Sequence, residues 1–552
     1  MLCSTFHLTK TDQMHHVRLS FNKTLRLRGI RFNSTEVHRF EARKNEISAE
    51  SAPFYPPLSS VRSDAKLTRI PQFVQKYHNY KFLDLPGRCL QSNYQLEGRV
   101  LSVRKAGKAL YFVDLVQDGE RVQIYASNKQ MGLLPLEFDR LHALIRAHDY
   151  ISCVGRPFQT KVGELSLQLL TPIKIVSPCL KSTTLPDKVS DRKLINSDRV
   201  MNYLVNPALR ERLMVKSIVT QAIRNHLIAD KFLEVQTPLL SGAGTGANAE
   251  PFYSALKAVS GQKLQLRVAP ELWLKRLVIA GFEKVFEIGP NFRNEGVDST
   301  HNPEFTTCEF YRSFTTLPEL MQMTESLFGA IFTQLEQQSP LLEVTREPLK
   351  LYASLGKGEF PKYEFIPTIE EKTKVEMPAV LSSQNLIEYF KVIGLSVPEQ
   401  KQPSALLNKL SEVYLESMSH VHKNTPVFVY NQPAEMSPLA KSSKITYKDR
   451  EYEILQRFEL FINGMEYVNA YEEENSPYAQ EDKFKQQQGY KADFNDNESL
   501  IPDWNYVKTM EYGLPPTGGW GCGIDRLSML FSGSDRIEDV LSFGTLRDVV
   551  KQ

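Results

Sequence analysis

The sequence predicts an α+β protein: a small N-terminal β-barrel, then a larger domain in which an antiparallel sheet is flanked by helices. Three observations carry this. Short segments between residues 94 and 178 alternate apolar and polar side chains between Gly-containing turns. Residues 285–314 and 457–468 show the same period of two around a polar loop and an Asn-Gly turn. Leu209, Leu213, Val215, Val219, Ala222, Ile223 and Leu227 instead recur at helical spacing. A chain of 552 residues is too long for one core. Its 41% hydrophobic and 24% charged residues are ordinary for a globular protein. Lys+Arg at 67 against Asp+Glu at 64 leaves a net charge of +3, so any nucleic-acid contact needs a local basic patch. The six cysteines form no CxxC pair, which argues against a zinc ribbon or disulfide framework. No stretch reaches the apolar length of a membrane span, so no membrane insertion is expected.

Within residues 1–40, the first 35 hold Lys10, Arg18, Lys23, Arg26, Arg28 and Arg31 but only one acid, Asp12, with Val17, Phe21 and Leu25 at helical spacing. Such a segment reads as a mitochondrial targeting peptide, hence a matrix location; the alternative is a basic tail that touches RNA. Residues 41–90 read as a linker with a small helical piece from Ile70 to Phe82. Residues 91–180 hold about five short strands, the size of an OB-fold. Phe112 and Gln123 sit on strands that can share one face, where an aromatic and an amide would stack on and read single-stranded bases; the alternative is that Phe112 is core. Residues 181–205 read as a polar hinge. Asn206-Pro207 then opens a helix as N-cap and first helical residue.

Residues 206–552 form the larger domain. Phe232 to Leu240 reads as a strand broken by Pro238, which implies an edge or an interface. Two strands flank the loop 294–304, and alternation places Phe305, Thr307, Glu309 and Tyr311 on one face. A helical insertion is expected near residues 340–425. Arg457 to Val468 is a hairpin around Asn463-Gly464. A regular register pairs Phe461 with Glu466 and Glu459 with Val468, making Glu459 and Glu466 diagonal neighbours. Two carboxylates so close need a cation between them, and magnesium on a triphosphate suits; the alternative is a pair of solvated acids. Gly518 to Gly523 lacks the Lys-Ser/Thr of a phosphate-binding P-loop and reads as a tight strand-to-helix passage, with Arg526 in the first helical turn. Arg293 and Arg526 can then grip phosphates as Phe305 stacks on a purine.

Together these residues resemble the class II aminoacyl-tRNA synthetases, and within them the lysyl-tRNA synthetases, from about Leu96 to the C-terminus. Motif 1 matches Phe232–Leu240, motif 2 matches Phe292-Arg293-Asn294-Glu295 through Phe305, and motif 3 matches Gly519–Arg526. The runs Arg267–Leu277 and His301–Tyr311 look lysyl-type. The resemblance implies an OB-fold anticodon-binding domain and a class II catalytic domain. The implied activity is ATP-dependent formation of lysyl-adenylate and transfer of lysine to tRNA(Lys), with Mg2+ accompanying ATP, in a homodimer with Pro238 at its interface.

By the same resemblance, Arg293 and Arg526 are the catalytic contacts. Arg293 would hold the α-phosphate, and Arg526 the γ-phosphate or the second adenine face. Glu295, His301, Asn302, Phe305 and Glu459 complete the ATP set, and Glu459 and Glu466 hold the metal. Glu271, Glu309, Tyr311, Asn469 and Glu473 would bind lysine, although regular alternation turns Asn469 away from Glu466. Phe112, Gln123 and Glu164 would read the anticodon. A pocket with several acids suits an ammonium and repels aspartate, against the aspartyl and asparaginyl relatives. Retention of Arg293, Glu459, Glu466 and Arg526 argues against a non-catalytic RNA-binding relative, and the barrel against a lysine ligase acting on protein. The chain departs from the family pattern at Arg199–Leu204 and at Glu250, where a basic residue is frequent.

Overall fold

The structure, a computed structural model, describes residues 34–48, 54–107, 109–182, 185–186, 189–247, 249–256, 263–494 and 502–550. The basic stretch 1–33 lies outside the described residues. The chain divides into two compact units, Met1–Asp187 and Lys188–Gln552.

The first unit is a closed five-stranded barrel. Its strands are β1 (Tyr94–Lys105), β2 (Leu110–Gln117), β3 (Glu120–Ser127), β4 (Tyr150–Gln159) and β5 (Leu165–Leu169). They pair β1–β2–β3–β5–β4 and back to β1, with β3–β5 the parallel step. Alternation sends Leu96, Val113, Leu115, Ile124, Leu167 and Leu169 inward, all fully buried. The helices that precede the barrel include α1 (Ser34–Ser48) and α2 (Ile70–Tyr77). Residues 41–90 are therefore more than a linker: α2 adds Ile70 and Phe73 to the barrel core. Arg43 of α1 is buried too, donating to Asp149 Oδ2 at 2.9 Å and to the Leu144 carbonyl at 2.7 Å. Asp149 offsets that guanidinium and also accepts from the Cys179 and Arg146 amides.

The second unit is built on an eight-stranded sheet. Its main strands are β6 (Lys284–Phe292), β7 (Glu304–Ser313), β8 (Val427–Tyr430), β9 (Arg457–Ile462), β10 (Met465–Glu472) and β11 (Thr517–Gly523). The order is Lys362–Glu364, β8, β9, β10, β11, β7, β6, Leu233–Glu234, antiparallel except for the two outermost pairs. Four helices matter to the site: α3 (Pro207–Ala229), α4 (Glu271–Ile279), α5 (Leu317–Gln338) and α6 (Ile524–Ser532). One sheet face, with Phe286, Phe310, Leu460, Val468 and Trp520, shares a core with α3, α5 and α6. Phe310 and Trp520 stack at 4.9 Å, and the indole N–H donates to Thr324 Oγ1 at 2.9 Å. The predicted stripe of α3 is buried except for Leu213, which is partly exposed.

Three expectations are modified. The strand expected over Phe232–Leu240 reduces to Leu233–Glu234 and Leu240–Ser241. Between them the Thr237 amide and hydroxyl bond the Glu287 carboxylate instead of a ladder partner, and Pro238 has no N–H to give. The polar segment 181–205 contains two short helices, Arg192–Ser197 and Arg199–Val205. The hairpin register also shifts. Phe461 does face Glu466, but a bulge follows, so Leu460 faces Val468 and Glu459 faces Asn469. Tyr467 is the extra residue. The turn itself is as expected, with φ of 50° at Asn463 and 77° at Gly464.

Candidate active site

The sheet face opposite α3 and α5 carries a cavity of about 450 Å³. Period two on β7 brings Phe305, Thr307, Glu309 and Tyr311 to its wall, while Cys308 and Phe310 point into the core. Arg293 enters from the end of β6, Glu459 from β9, Glu466, Asn469 and Tyr471 from β10, and Arg526 from α6.

At the first end the Arg293 guanidinium lies 5.1 Å from the Phe305 ring centre. Its Nε is buried without a partner, a donor set suited to an anionic ligand. Arg526 donates to the Glu466 carbonyl at 3.0 Å and approaches His301 Nε2 at 2.8 Å. The other His301 nitrogen is 2.9 Å from Asp298 Oδ2. Slight burial opposes ionisation of Asp298, but Thr300 and His301 outweigh it and hold its pKa at about 2. The tautomer with its proton on Nδ1 satisfies both contacts, donating to Asp298 and accepting from Arg526 at Nε2. Asp298 is thus a positioning residue that the sequence argument passed over, as is Asp525. Asp525 accepts the Thr306 amide at 2.7 Å and ties the start of β7 to the helix that carries Arg526. Glu295 is exposed at the rim. Asn302 lines the cavity, but its amide is engaged with the Glu304 carbonyl at 2.6 Å and the Leu546 amide at 2.8 Å.

The bulge at Tyr467 settles how Glu466 and Asn469 can share a wall. Regular alternation separates them, and one extra residue restores the same face. Arg457 joins the strands, with Nε donating to Asn469 Oδ1 at 3.0 Å and Nη2 paired with Glu459 at 2.5 Å. Burial, then the Glu459 charge, pushes the Glu466 carboxyl up. Glu459 and Glu466 could together hold a divalent cation that arrives with a phosphate ligand. Among the described residues no group of three or more His, Cys, Asp or Glu gathers into a metal-binding set. Asn408, from the helix Pro403–Ser411 of the insertion, also reaches the cavity.

The other end is acidic. Tyr311 donates to Glu309 Oε2 at 3.2 Å, and Tyr471 donates to Glu271 Oε1 at 2.7 Å. Among the described residues Glu309 makes no ion pair. Burial, then the charge of Glu271, raises its pKa to about 8. Glu473 does not line the cavity. It lies behind Gly519, where one oxygen binds Lys275 at 2.7 Å and the other has no partner. Lys275 also donates to Glu271 at 2.9 Å and is fully buried. Burial pulls its pKa down, but Glu271 and Glu473 outweigh that and hold it well above the ordinary value. The only sequence signal for Lys275 was its four-residue spacing from Glu271 on α4. Gly246 completes this end: a Cβ there would meet Glu271 Oε2 at 2.7 Å, so only glycine lets the loop close over the carboxylate. Glu250 accepts from the Asn294 amide group at 3.3 Å.

In the barrel unit Phe112 lies outside the core, which is made by its neighbours Tyr111 and Val113. The outer row runs Arg104, Phe112, Tyr125 across β1, β2 and β3. Phe112 meets Tyr125 edge-on at 5.6 Å and the Arg104 guanidinium at 5.8 Å. Gln123 is on the same face but buried, accepting from Ser166 at 3.0 Å. Glu164 pairs with Arg121 at 2.9 Å. Pro238 is exposed, beside Leu239 and Leu240 at 42% and 47% exposure. No helix among the described residues is long and apolar enough to cross a membrane.

Comparison with known proteins gives a consistent set of likenesses. Residues 191–547 match the family described as tRNA synthetases class II (D, K and N). The chain is 35% identical to the mitochondrial lysine--tRNA ligase of Saccharomyces cerevisiae, over 94% of each chain. It is 37% identical to that of Schizosaccharomyces pombe, over 93% of this chain and 94% of the relative. With the lysine--tRNA ligase of Malacoplasma penetrans it shares 33% identity, over 94% of this chain and 99% of the relative.

Proposed function

Because the chain belongs to the class II tRNA synthetases of the D, K and N group, we propose that it is an ATP-dependent lysine--tRNA ligase of mitochondria. It activates L-lysine and transfers it to tRNA(Lys). The observation that carries the choice of amino acid is Glu309. Its carboxylate sits in the cavity with a tyrosine hydroxyl as its bonded neighbour and no ion pair among the described residues. A long apolar stem ending in an ammonium supplies the missing charge. Aspartate would bring a second anion, and asparagine would leave the charge uncompensated.

In the first step a lysine carboxylate oxygen attacks the α-phosphorus, and the bond to pyrophosphate breaks. In the second, a terminal ribose hydroxyl of tRNA attacks the adenylate carbonyl, and AMP leaves. Positioning and charge stabilisation do the catalytic work. Arg293 is placed for the α-phosphate, Phe305 for the adenine face, and Arg526 with His301 for the outer phosphates. Glu459 and Glu466 would hold magnesium, which spreads the charge of the triphosphate. Glu295 and Asn302 are rim contacts for the nucleotide. Glu271, Tyr311 and Asn469 surround the amino acid, and Glu473 faces it across Gly519. The outer row at Phe112, with Gln123 and Glu164, is assigned to the anticodon. The exposed strip at Pro238 is assigned to a homodimer interface, and the basic stretch within 1–40 to import into the matrix.

The test is ATP–pyrophosphate exchange with lysine, aspartate and asparagine supplied separately. Exchange is expected with lysine alone; exchange with asparagine and not lysine would overturn the assignment. Charging of tRNA(Lys) transcripts then tests the second step.

A further inference from the structure

The acidic end of the cavity holds more negative charge than one substrate ammonium can match. Glu271, Glu309 and Glu473 converge there, Glu271 and Glu473 being 4% and 1% exposed. Carboxylates this close in a dry site would take up protons and cease to be anions. What opposes this is inside the protein. Lys275, fully buried on α4, donates to Glu271 at 2.9 Å and to Glu473 at 2.7 Å.

We propose that Lys275 is a built-in counter-cation that sets the charge of the amino-acid pocket, offsetting one of its three acids and leaving net negative charge for the ammonium side chain of the substrate. The inference rests on the lysine reading above and adds a specificity-determining residue to it. Lys275 does not line the cavity, so it acts through the carboxylates it holds. It occupies one oxygen of Glu473 and leaves Oε1, buried and unpartnered, towards Gly519. Gly519 lines the cavity beside Tyr311. A substrate ammonium entering between Glu309 and Tyr311 therefore finds a second carboxylate oxygen, unpartnered and held in place.

The other groups around Lys275 are two phenols and a cation that is already paired. Tyr471 bonds Glu271, and Tyr506 lies under the ammonium at 5.5 Å. The Arg276 guanidinium nearby is held by Asp503 at 2.7 Å. Lys275 is thus the cation in direct contact with Glu271 and Glu473. With it, three carboxylates and one ammonium leave a pocket of net negative charge that draws in a second ammonium. Without it, Glu271 and Glu473 lose the cation they share.

The experiment is lysine-dependent ATP–pyrophosphate exchange from pH 6.5 to 9 (a range chosen to bracket roughly neutral pH and the raised carboxylate). It compares the full chain with Lys275→Met, Lys275→Gln and Lys275→Arg. The uncharged variants are expected to raise KM for lysine on the order of 10- to 100-fold, leave KM for ATP unchanged, and steepen the fall of lysine KM with rising pH. Lys275→Arg should recover most of the loss. Folded Met and Gln variants with a wild-type lysine KM and pH profile would overturn the proposal. The unmodified protein supplies a second measurement should the variants not fold. Calorimetry of lysine binding near pH 7 in buffers of different ionisation enthalpy should show release of no more than about two protons, from Glu309 and Glu473, both raised to about 8 by burial. Release of about three would mean that Lys275 does not hold the charge of Glu271. If the unmodified protein exchanges with another amino acid instead, the lysine reading fails first, and that result is distinct.

Discussion

Glu459 and Asn469 stand directly opposite each other on β9 and β10, and Arg457 bonds both. One guanidinium therefore spans the side proposed for magnesium and the side proposed for the amino acid, and it can do so only because Tyr467 is extra in the hairpin. A planar fork reaches both acceptors, whereas an ammonium is a single point of donation. Arg457→Lys is expected to lower kcat/KM for lysine-dependent exchange by about 10- to 100-fold, the size of one lost hydrogen bond to a charged group. Melting temperature should change little in comparison. Measured exchange rates equal to those of the unmodified protein would show that the fork does not organise the site.

Much of the site was legible because it lies on regular strands. A period of two is enough to place Phe305, Thr307, Glu309 and Tyr311 together, and an Asn-Gly turn is enough to join β9 to β10. What alternation cannot show is an exception to itself. The bulge moves Asn469 onto the face of Glu466 and replaces the expected Glu459–Val468 pair with Glu459–Asn469. Residues that act through others were also hidden. Lys275 reads as half of an ordinary helical Glu-Lys pair until Glu473, 198 positions away, is seen on its other side. Asp298 reads as a loop acid until His301 and Arg526 line up behind it. In the barrel, alternation gave the strands but not the parallel β3–β5 step that closes them.

The pH dependence of stability has a definite sign. Glu309 has its pKa raised from 4.5 to about 8 in the folded protein. Between those values the folded chain holds a proton that the unfolded chain has released. The contribution of this group is therefore full below pH 4.5 and is lost as pH rises through about 8. Saturating lysine supplies a cation and should remove the trend. Melting curves with and without lysine from pH 6 to about 8.5 test this: lysine should stabilise more at the alkaline end. A lysine-induced shift that is constant with pH would mean that Glu309 is not the group the substrate neutralises.

Substitution of Phe112 should separate the two proposed steps of the reaction. It sits outside the barrel core, so its removal leaves the packing of Tyr111, Val113 and Leu115 intact. Stacking of a base on an aromatic ring is worth roughly 1–3 kcal/mol. Phe112→Ala is expected to lower charging of tRNA(Lys) by about 5- to 150-fold, mainly through KM for tRNA. Exchange without tRNA should be retained. Equal losses in both assays would remove Phe112 from the anticodon surface.

Gly519 tests the geometry of the ammonium end. A Cβ at this position would lie 2.0 Å from Glu473 Oε1 and 2.7 Å from Tyr311 Cε1, closer than atoms can approach. Neither neighbour can move aside freely. Glu473 is held by Lys275 at 2.7 Å, and Tyr311 by Glu309 at 3.2 Å. Overpacking of this kind costs about 1–3 kcal/mol, and here the displaced atoms are the ones that would meet the substrate ammonium. Gly519→Ala is expected to raise KM for lysine by about 5- to 150-fold while KM for ATP changes far less. Gly296 provides the comparison: it also lines the cavity, but a Cβ there meets nothing within 4 Å. Gly296→Ala should leave lysine KM as it is. Exchange kinetics with lysine and ATP varied separately decide the matter. A wild-type lysine KM in Gly519→Ala would place the ammonium away from Glu473.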